Sequence, residues 1–197
     1  DKYIFYSKLD KHHRTEKFND IKLELGQKKI INLEEKDEGF TCGIGISSDE
    51  KYFFVGTANL TTSEIYFFDV NEDNPKLKLF RKRQKEIKYS VDSWKGNFYI
   101  HTNLDAEDYK ICKCKHENIR KWKDYIPATK GVLIGGFDLL NEWMVRSELR
   151  DALAKLYIKN LKNNNEEELV ITDEKVITDG RGRVGKGVDL GGRRIIK

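Results

Sequence analysis

Across 197 residues the chain has only three cysteines, two prolines and one methionine. Cys42, Cys112 and Cys114 form an odd, sparse set, which argues against a disulfide framework and fits a reducing, cytoplasmic setting. No stretch approaches the roughly 18 consecutive apolar residues that span a bilayer, so no membrane association is expected. Asp1 opens the chain without an initiator Met or a signal-type apolar run, and Tyr3-Ile4-Phe5-Tyr6 enters a strand at once. The sequence therefore reads as a piece excised from a longer protein. A strong excess of one charge is also missing. The net charge is +4, from 37 basic and 33 acidic residues. Residues 180–197 hold six basic residues against Asp189 alone, or +5, which leaves −1 for the other 179. The basic character belongs to the tail and does not mark the body as a nucleic-acid binder.

Against those absences stands a segment that recurs three times at a spacing of about 45 residues. Lys51-Tyr52-Phe53-Phe54-Val55 returns as Asn97-Phe98-Tyr99-Ile100-His101 and again as Glu142-Trp143-Met144-Val145-Arg146. Each copy precedes a second apolar strand: Ile65-Tyr66-Phe67-Phe68, then Tyr109-Lys110-Ile111-Cys112, then Lys155-Leu156-Tyr157-Ile158. A repeat of that length with four short strands is the signature of a β-propeller blade. The fold expected is all-β, a partial propeller of about three and a half four-stranded antiparallel blades.

Residues 3–8, 17–25 and 28–36 read as three strands of an incomplete first blade, and further blades run over about 39–84, 87–128 and 132–173. β-Branched and aromatic residues dominate the strands, and Pro75 and Pro127 sit at blade margins. Glu148-Leu149-Arg150-Asp151-Ala152-Leu153-Ala154-Lys155 has helical propensity, but its place in the repeat demands a strand hairpin. The domain division is a partial propeller over 1–179 and a basic Gly/Arg-rich tail over 180–197, disordered or foreign to the fold.

Several strings, in order along the chain, carry a family resemblance. They are Glu34-Glu35-Lys36-Asp37-Glu38-Gly39-Phe40, Thr61-Thr62-Ser63-Glu64, Lys88-Tyr89-Ser90-Val91-Asp92, Phe98-Tyr99-Ile100-His101-Thr102-Asn103, Tyr125-Ile126-Pro127 and Trp143-Met144-Val145. Over residues 1 to about 173 the chain resembles the N-terminal propeller of the oligopeptidase B (protease II) group, within the prolyl oligopeptidase family of serine peptidases. The resemblance implies a parent with a seven-bladed propeller capping an α/β-hydrolase domain. It implies cleavage of short peptides after Arg or Lys by a Ser-Asp-His triad, with the propeller filtering substrates by size. None of the triad maps onto these residues, so no catalytic residue is assigned, and the fragment alone is expected to be inactive.

Other constellations in the chain carry weaker signals. Gly45-Ile46-Ser47-Ser48-Asp49 is nearest to a nucleophile elbow, but it lacks the second glycine and leads to a strand. Cys112, Cys114 and His116 alternate on one strand face. With no second cluster to complete a tetrahedral shell, they read as strand cysteines followed by a turn histidine. His12-His13 reads as a surface hairpin. Gly180 to Gly187 contains G-x-G-x-x-G and nearly fits a phosphate loop, yet Gly187 replaces the Mg²⁺-binding Ser or Thr and no βαβ unit surrounds it. No metal, cofactor or cofactor-binding residue is therefore assigned. The Arg/Gly tail could touch RNA phosphates, but no aromatic residue accompanies it for base stacking, so nucleic acid is not an expected partner. Arg81-Lys82-Arg83, Lys113 with Lys115, Glu34-Glu35 and Glu166-Glu167-Glu168 read as balancing solvated runs.

Two functions compete. One is the substrate-filtering part of a serine oligopeptidase, with peptides as partners through a catalytic domain elsewhere. The other is a propeller scaffold that binds a protein partner without peptidase activity. Either way an incomplete ring leaves strand edges and blade faces uncovered. Self-association through those edges is predicted, and sedimentation velocity over a concentration series checks it: a strictly monomeric profile at high concentration contradicts it.

Overall fold

Alternating apolar residues broken by short polar turns favour antiparallel meanders, and the described sheets are all meanders, with longer connections at 70–77, 103–109 and 116–122. The structure is a computed structural model that describes residues 4–7, 20–25, 28–73 and 75–170. The first sheet comprises β1 (Ile4–Ser7), β2 (Asp20–Leu25) and β3 (Lys28–Glu34). The second comprises β4 (Thr41–Ile46), β5 (Tyr52–Ala58), β6 (Ser63–Asp69) and β7 (Lys78–Arg81). The third holds β8 (Tyr89–Trp94), β9 (Asn97–Thr102), β10 (Lys110–Lys115) and β11 (Lys123–Ile126). The fourth holds β12 (Val132–Leu140), β13 (Trp143–Arg150), β14 (Leu153–Asn160) and β15 (Glu166–Leu169). In every sheet the spatial order is the chain order and every pair is antiparallel. Three blades of four strands and one of three strands fall where the repeat placed them. His12, His13 and residues 180–197 lie outside the described residues. No helix among the described residues is long and apolar enough to cross a membrane.

The blades hold together through their faces. In β9 the run Phe98-Tyr99-Ile100 is buried without alternation, because neighbours cover both sides of the third sheet. Phe98 and Ile100 join Cys112 and Cys114 against Phe67 and Phe80 of the second sheet. Tyr99 and Ile111, on the opposite face, pack against Ile134, Leu139 and Met144 of the fourth. The second sheet is divided likewise: Phe67 faces the third sheet, while Phe68 and Val55 pack with Leu33 of β3. The far face of the fourth sheet carries Leu133, Leu140 and Leu149, which remain exposed among the described residues.

The helix-prone segment is a hairpin, as its place in the repeat required. β13 and β14 are joined by Asp151 and Ala152, both left-handed at φ 48° and 61°. Two successive positive φ values match the right-handed strand twist, which is why such loops usually carry Asn-Gly or Asp-Gly. Ala152 bears a Cβ in a conformation that costs roughly 1–2 kcal/mol for L-residues. The hairpin forms regardless, since Met144 and Ile158 gain burial on either side of it. Ala152→Gly is therefore expected to stabilise the fold by about 1 kcal/mol, the relief of backbone strain outweighing the added entropy of the unfolded chain. The urea midpoint of variant and parent measures this; a lower midpoint for the glycine variant contradicts it.

Candidate functional site

β4, β8 and β12 each begin a sheet and have a strand partner on one side only. These three edges, with nearby side chains, enclose a cavity of about 410 Å³. β4 supplies Gly45 and Ile46, β8 supplies Ser90 to Asp92, and β12 supplies Gly135 to Asp138. An adjoining cavity of about 390 Å³ shares Ser90, His101 and Gly135 with the first and adds Lys88 and Tyr109. The glycines matter locally. A Cβ on Gly45 or Gly136 would meet nothing within 4 Å, so the backbone there is bare toward open space. At Gly135 a Cβ would lie 2.8 Å from Ser147 Oγ, so no side chain fits unless Ser147 moves. Gly135 is also the extra residue of a β-bulge, where the pairing of β12 with β13 shifts between Ile134 and Gly136.

His101 fastens that bulge across the blade seam. Its Nε2–H donates to the Ile134 carbonyl at 2.8 Å, and its ring stacks on Tyr109 at 4.6 Å and 15°. Burial lowers the His101 pKa more than this hydrogen bond raises it, so the ring is neutral at physiological pH. Asp92 is fixed as well: Ser48 N and Oγ donate to its two carboxylate oxygens at 2.8 and 2.5 Å, and Ser93 N donates at 2.7 Å. Asp138 is exposed and makes no ion pair among the described residues. The larger cavity thus carries two carboxylates and no Lys or Arg on its wall.

Ser47 and His116, singled out in the sequence, have structural duties. Ser47 is buried in the β4–β5 turn, where its Oγ donates to Asp49 and accepts from Lys51 N and Tyr52 N. His116 lies in the 3-10 turn His116–Asn118, beyond the strand that holds Cys112 and Cys114. Burial pushes the Cys112 thiol up to about 12 and the Cys114 thiol up to about 11, so neither is a thiolate near neutrality. Among the described residues no three His, Cys, Asp or Glu side chains gather as a metal-binding group.

His116 takes part in a polar chain across the second seam. Tyr52 OH lies 3.2 Å from Nδ1, Ser93 Oγ lies 2.9 Å from Nε2, and Asp49 Oδ2 lies 3.0 Å from Ser93 Oγ. One assignment satisfies every group: Tyr52 donates to Nδ1, Nε2–H donates to Ser93, and Ser93 donates to Asp49. A serine, a histidine and an aspartate are in contact, yet this is not a nucleophilic triad. The acid accepts from the serine instead of orienting the histidine, and Ser93 is fully buried, out of reach of any substrate carbonyl.

The charge runs need correction. Arg83 and Glu35 were expected at solvated edges, but Arg83 pairs with buried Glu35 across the first seam. Arg83 also donates to Thr57 Oγ1 at 3.0 Å and stacks over Phe40 at 4.3 Å, while its backbone N–H donates to Glu64 at 2.8 Å. Arg81 lies over Trp122 of the third sheet at 4.8 Å. Glu166, Glu167 and Glu168 are exposed as expected, though Glu166 pairs with Arg146, which is nearly fully buried and also donates to Glu148 at 2.8 Å. The available signal was phase: Arg146 and Glu148 alternate with Met144 on the core-facing side of β13.

The N-terminal β-propeller domain of prolyl oligopeptidase matches residues 1–181. The chain belongs to that family. Protease 2 of Moraxella lacunata is 33% identical over 114 residues, 57% of this chain and 16% of that protein. Dipeptidyl aminopeptidase BI of Pseudoxanthomonas mexicana is 26% identical over 150 residues, 75% of this chain and 20% of that protein. The closed form of Trypanosoma brucei oligopeptidase B with covalently bound antipain superposes with a TM-score of 0.76 at 21% identity, covering 88% of this chain and 26% of that one. The chain thus spans a fifth or less of the two relatives matched by sequence, and the catalytic domain is not in it.

The Glu35–Arg83 pair generates a pH prediction. Burial raises the Glu35 pKa, but hydrogen bonds from Arg83 and Asp37 N and the Arg83 charge outweigh it, so the net shift is downward. A depressed folded-state pKa contributes stability that is present above the unfolded value of about 4.3 and is lost as pH falls through the folded value. Glu35→Gln should cost about 2 kcal/mol near pH 7, since Arg83 keeps Glu64 as a partner at 3.5 Å. The gap between parent and variant should narrow below about pH 4. Urea titrations at pH 7 and pH 3.5 test this; a gap independent of pH contradicts it.

Proposed function

We propose that this propeller segment filters substrates for a serine oligopeptidase that cleaves short peptides after Arg or Lys, the triad being carried outside these residues. The observation that carries the proposal is the cavity between β4, β8 and β12, walled by glycine backbone and by Asp92 and Asp138. Family membership supplies the peptidase context. An extended peptide presents a narrow cross-section to such a passage. A folded domain of about 100 residues has a radius of gyration near 13 Å and cannot thread a passage bounded by adjacent blade edges. Carboxylates on the wall raise the local concentration of cationic peptides without making a covalent step.

The proposal divides labour between parts. The propeller admits and orients; the domain beyond it breaks the amide bond. The protein from the full reading frame should hydrolyse short chromogenic peptides ending in Arg or Lys and spare the same sequence inside a folded domain. The 197-residue chain alone should turn over neither and should not be labelled by a serine-directed phosphonate. Labelling of this chain, or equal digestion of folded and short substrates by the whole protein, would overturn the proposal.

A further inference from the structure

We propose that the wall formed by β4, β8 and the β12 bulge is a holding subsite for a cationic side chain of a peptide, away from the residue being cleaved. The occupant rests on the reading of the protein as part of a peptidase. The site itself rests on geometry.

The first element is bare backbone. Gly135 has no place in the ladder between β12 and β13, and Ser147 prevents it from acquiring a side chain cheaply. Gly45 and Gly136 likewise carry no side chain where a Cβ would meet only open space, so the face of the wall is open there. An extended peptide can approach such edges closely enough for main-chain hydrogen bonds, the same physics by which peptides add to sheet edges. The second element is rigidity. The bulge is anchored by His101 Nε2 on the Ile134 carbonyl, and the Ile134 amide donates to the Asp108 carbonyl at 3.0 Å. A wall fixed on both sides of a seam costs little ordering entropy when a ligand binds.

The third element is charge. Asp92 is held in place by three donors, and Oδ2 receives only one of them, so it retains capacity for a further donor. Asp138 lines the same cavity from the opposite strand. With no Lys or Arg on that wall, a guanidinium or ammonium group meets net attraction, and an acidic side chain meets repulsion. Ile46, Phe54 and Phe137 supply apolar surface for the methylene stem of such a side chain. The ligand class is therefore an extended peptide with Arg or Lys.

The test uses the 197-residue chain and three fluorescein-labelled pentapeptide amides, Ala-Arg-Ala-Arg-Ala and its Glu and all-Ala counterparts, read by anisotropy. The Arg peptide should bind saturably and at least about fivefold more tightly than the Ala peptide, the scale of one partly exposed ion pair. The Glu peptide should bind more weakly still. Asp138→Lys should abolish the preference for Arg. Gly45→Leu, whose Cβ meets no atom within 4 Å, should block all three peptides while circular dichroism stays unchanged. Equal binding of Arg and Glu peptides, or indifference to both substitutions, would overturn the subsite. Arg-selective binding with no peptidase activity from the full reading frame would sink only the functional proposal. Peptidase activity whose KM for Arg peptides is unmoved by Asp138→Lys would sink only the subsite.

Discussion

Phe98 is the contact on which the rest of this architecture depends. It has no exposed surface, and its ring lies 5.1 to 6.0 Å from those of Tyr52, Phe54, Phe67 and Phe80, four aromatics of the neighbouring sheet. One residue along, Tyr99 turns to the other face and packs toward the fourth sheet. A four-stranded sheet of this size cannot bury enough apolar surface alone. It persists because β9 has large residues at successive positions and therefore serves two seams. Stability in such an arrangement is shared between neighbours, so each blade is only as secure as the faces beside it.

Apolar packing makes the seams adhere but is tolerant of sliding. The polar contacts fix the registration. Tyr52, His116, Ser93 and Asp49 form a directional chain across the second seam, while Ser48 adds two bonds to Asp92. Tyr89 fixes the same seam nearer its other end, donating from its OH to the Arg81 carbonyl at 2.6 Å and accepting from Ile65 N at 3.0 Å. Buried groups of this kind cost free energy whenever a partner is displaced. A rotation of one blade against the next would break several bonds together, whereas Phe98 alone would tolerate a small slip.

Most of the scaffold was legible in the sequence because its determinants are local. Turn residues, strand alternation and the 45-residue repeat all act within one blade, and the repeat overrode the helical propensity of residues 148–155. The seam chemistry was less legible. Arg83 and Glu35 lie 48 positions apart, and each sits in a run of like charge that resembles a solvated edge. Only the packing of one sheet on another distinguishes Arg83 and Arg81, which reach across seams, from exposed Lys82 between them. The cavity was illegible for the same reason. Gly45, Asp92 and Asp138 come from three blades and share no motif.

That division bears on how such a site can change. Seam residues are constrained from two sides, since Tyr99, Phe98 and His101 each answer to a neighbouring blade. Asp92 and the β12 bulge answer to neighbouring blades through Ser48, His101 and Asp108, whereas Gly45 and Asp138 answer to one sheet and to whatever occupies the cavity. A Cβ at Gly45 meets no neighbour, and Asp138 has no ion-pair partner to lose among the described residues. Charge and shape at Gly45 and Asp138 can therefore be altered with little effect on the seams. A rigid stack of sheets thus carries two wall positions, Gly45 and Asp138, whose chemistry can vary while the fold does not.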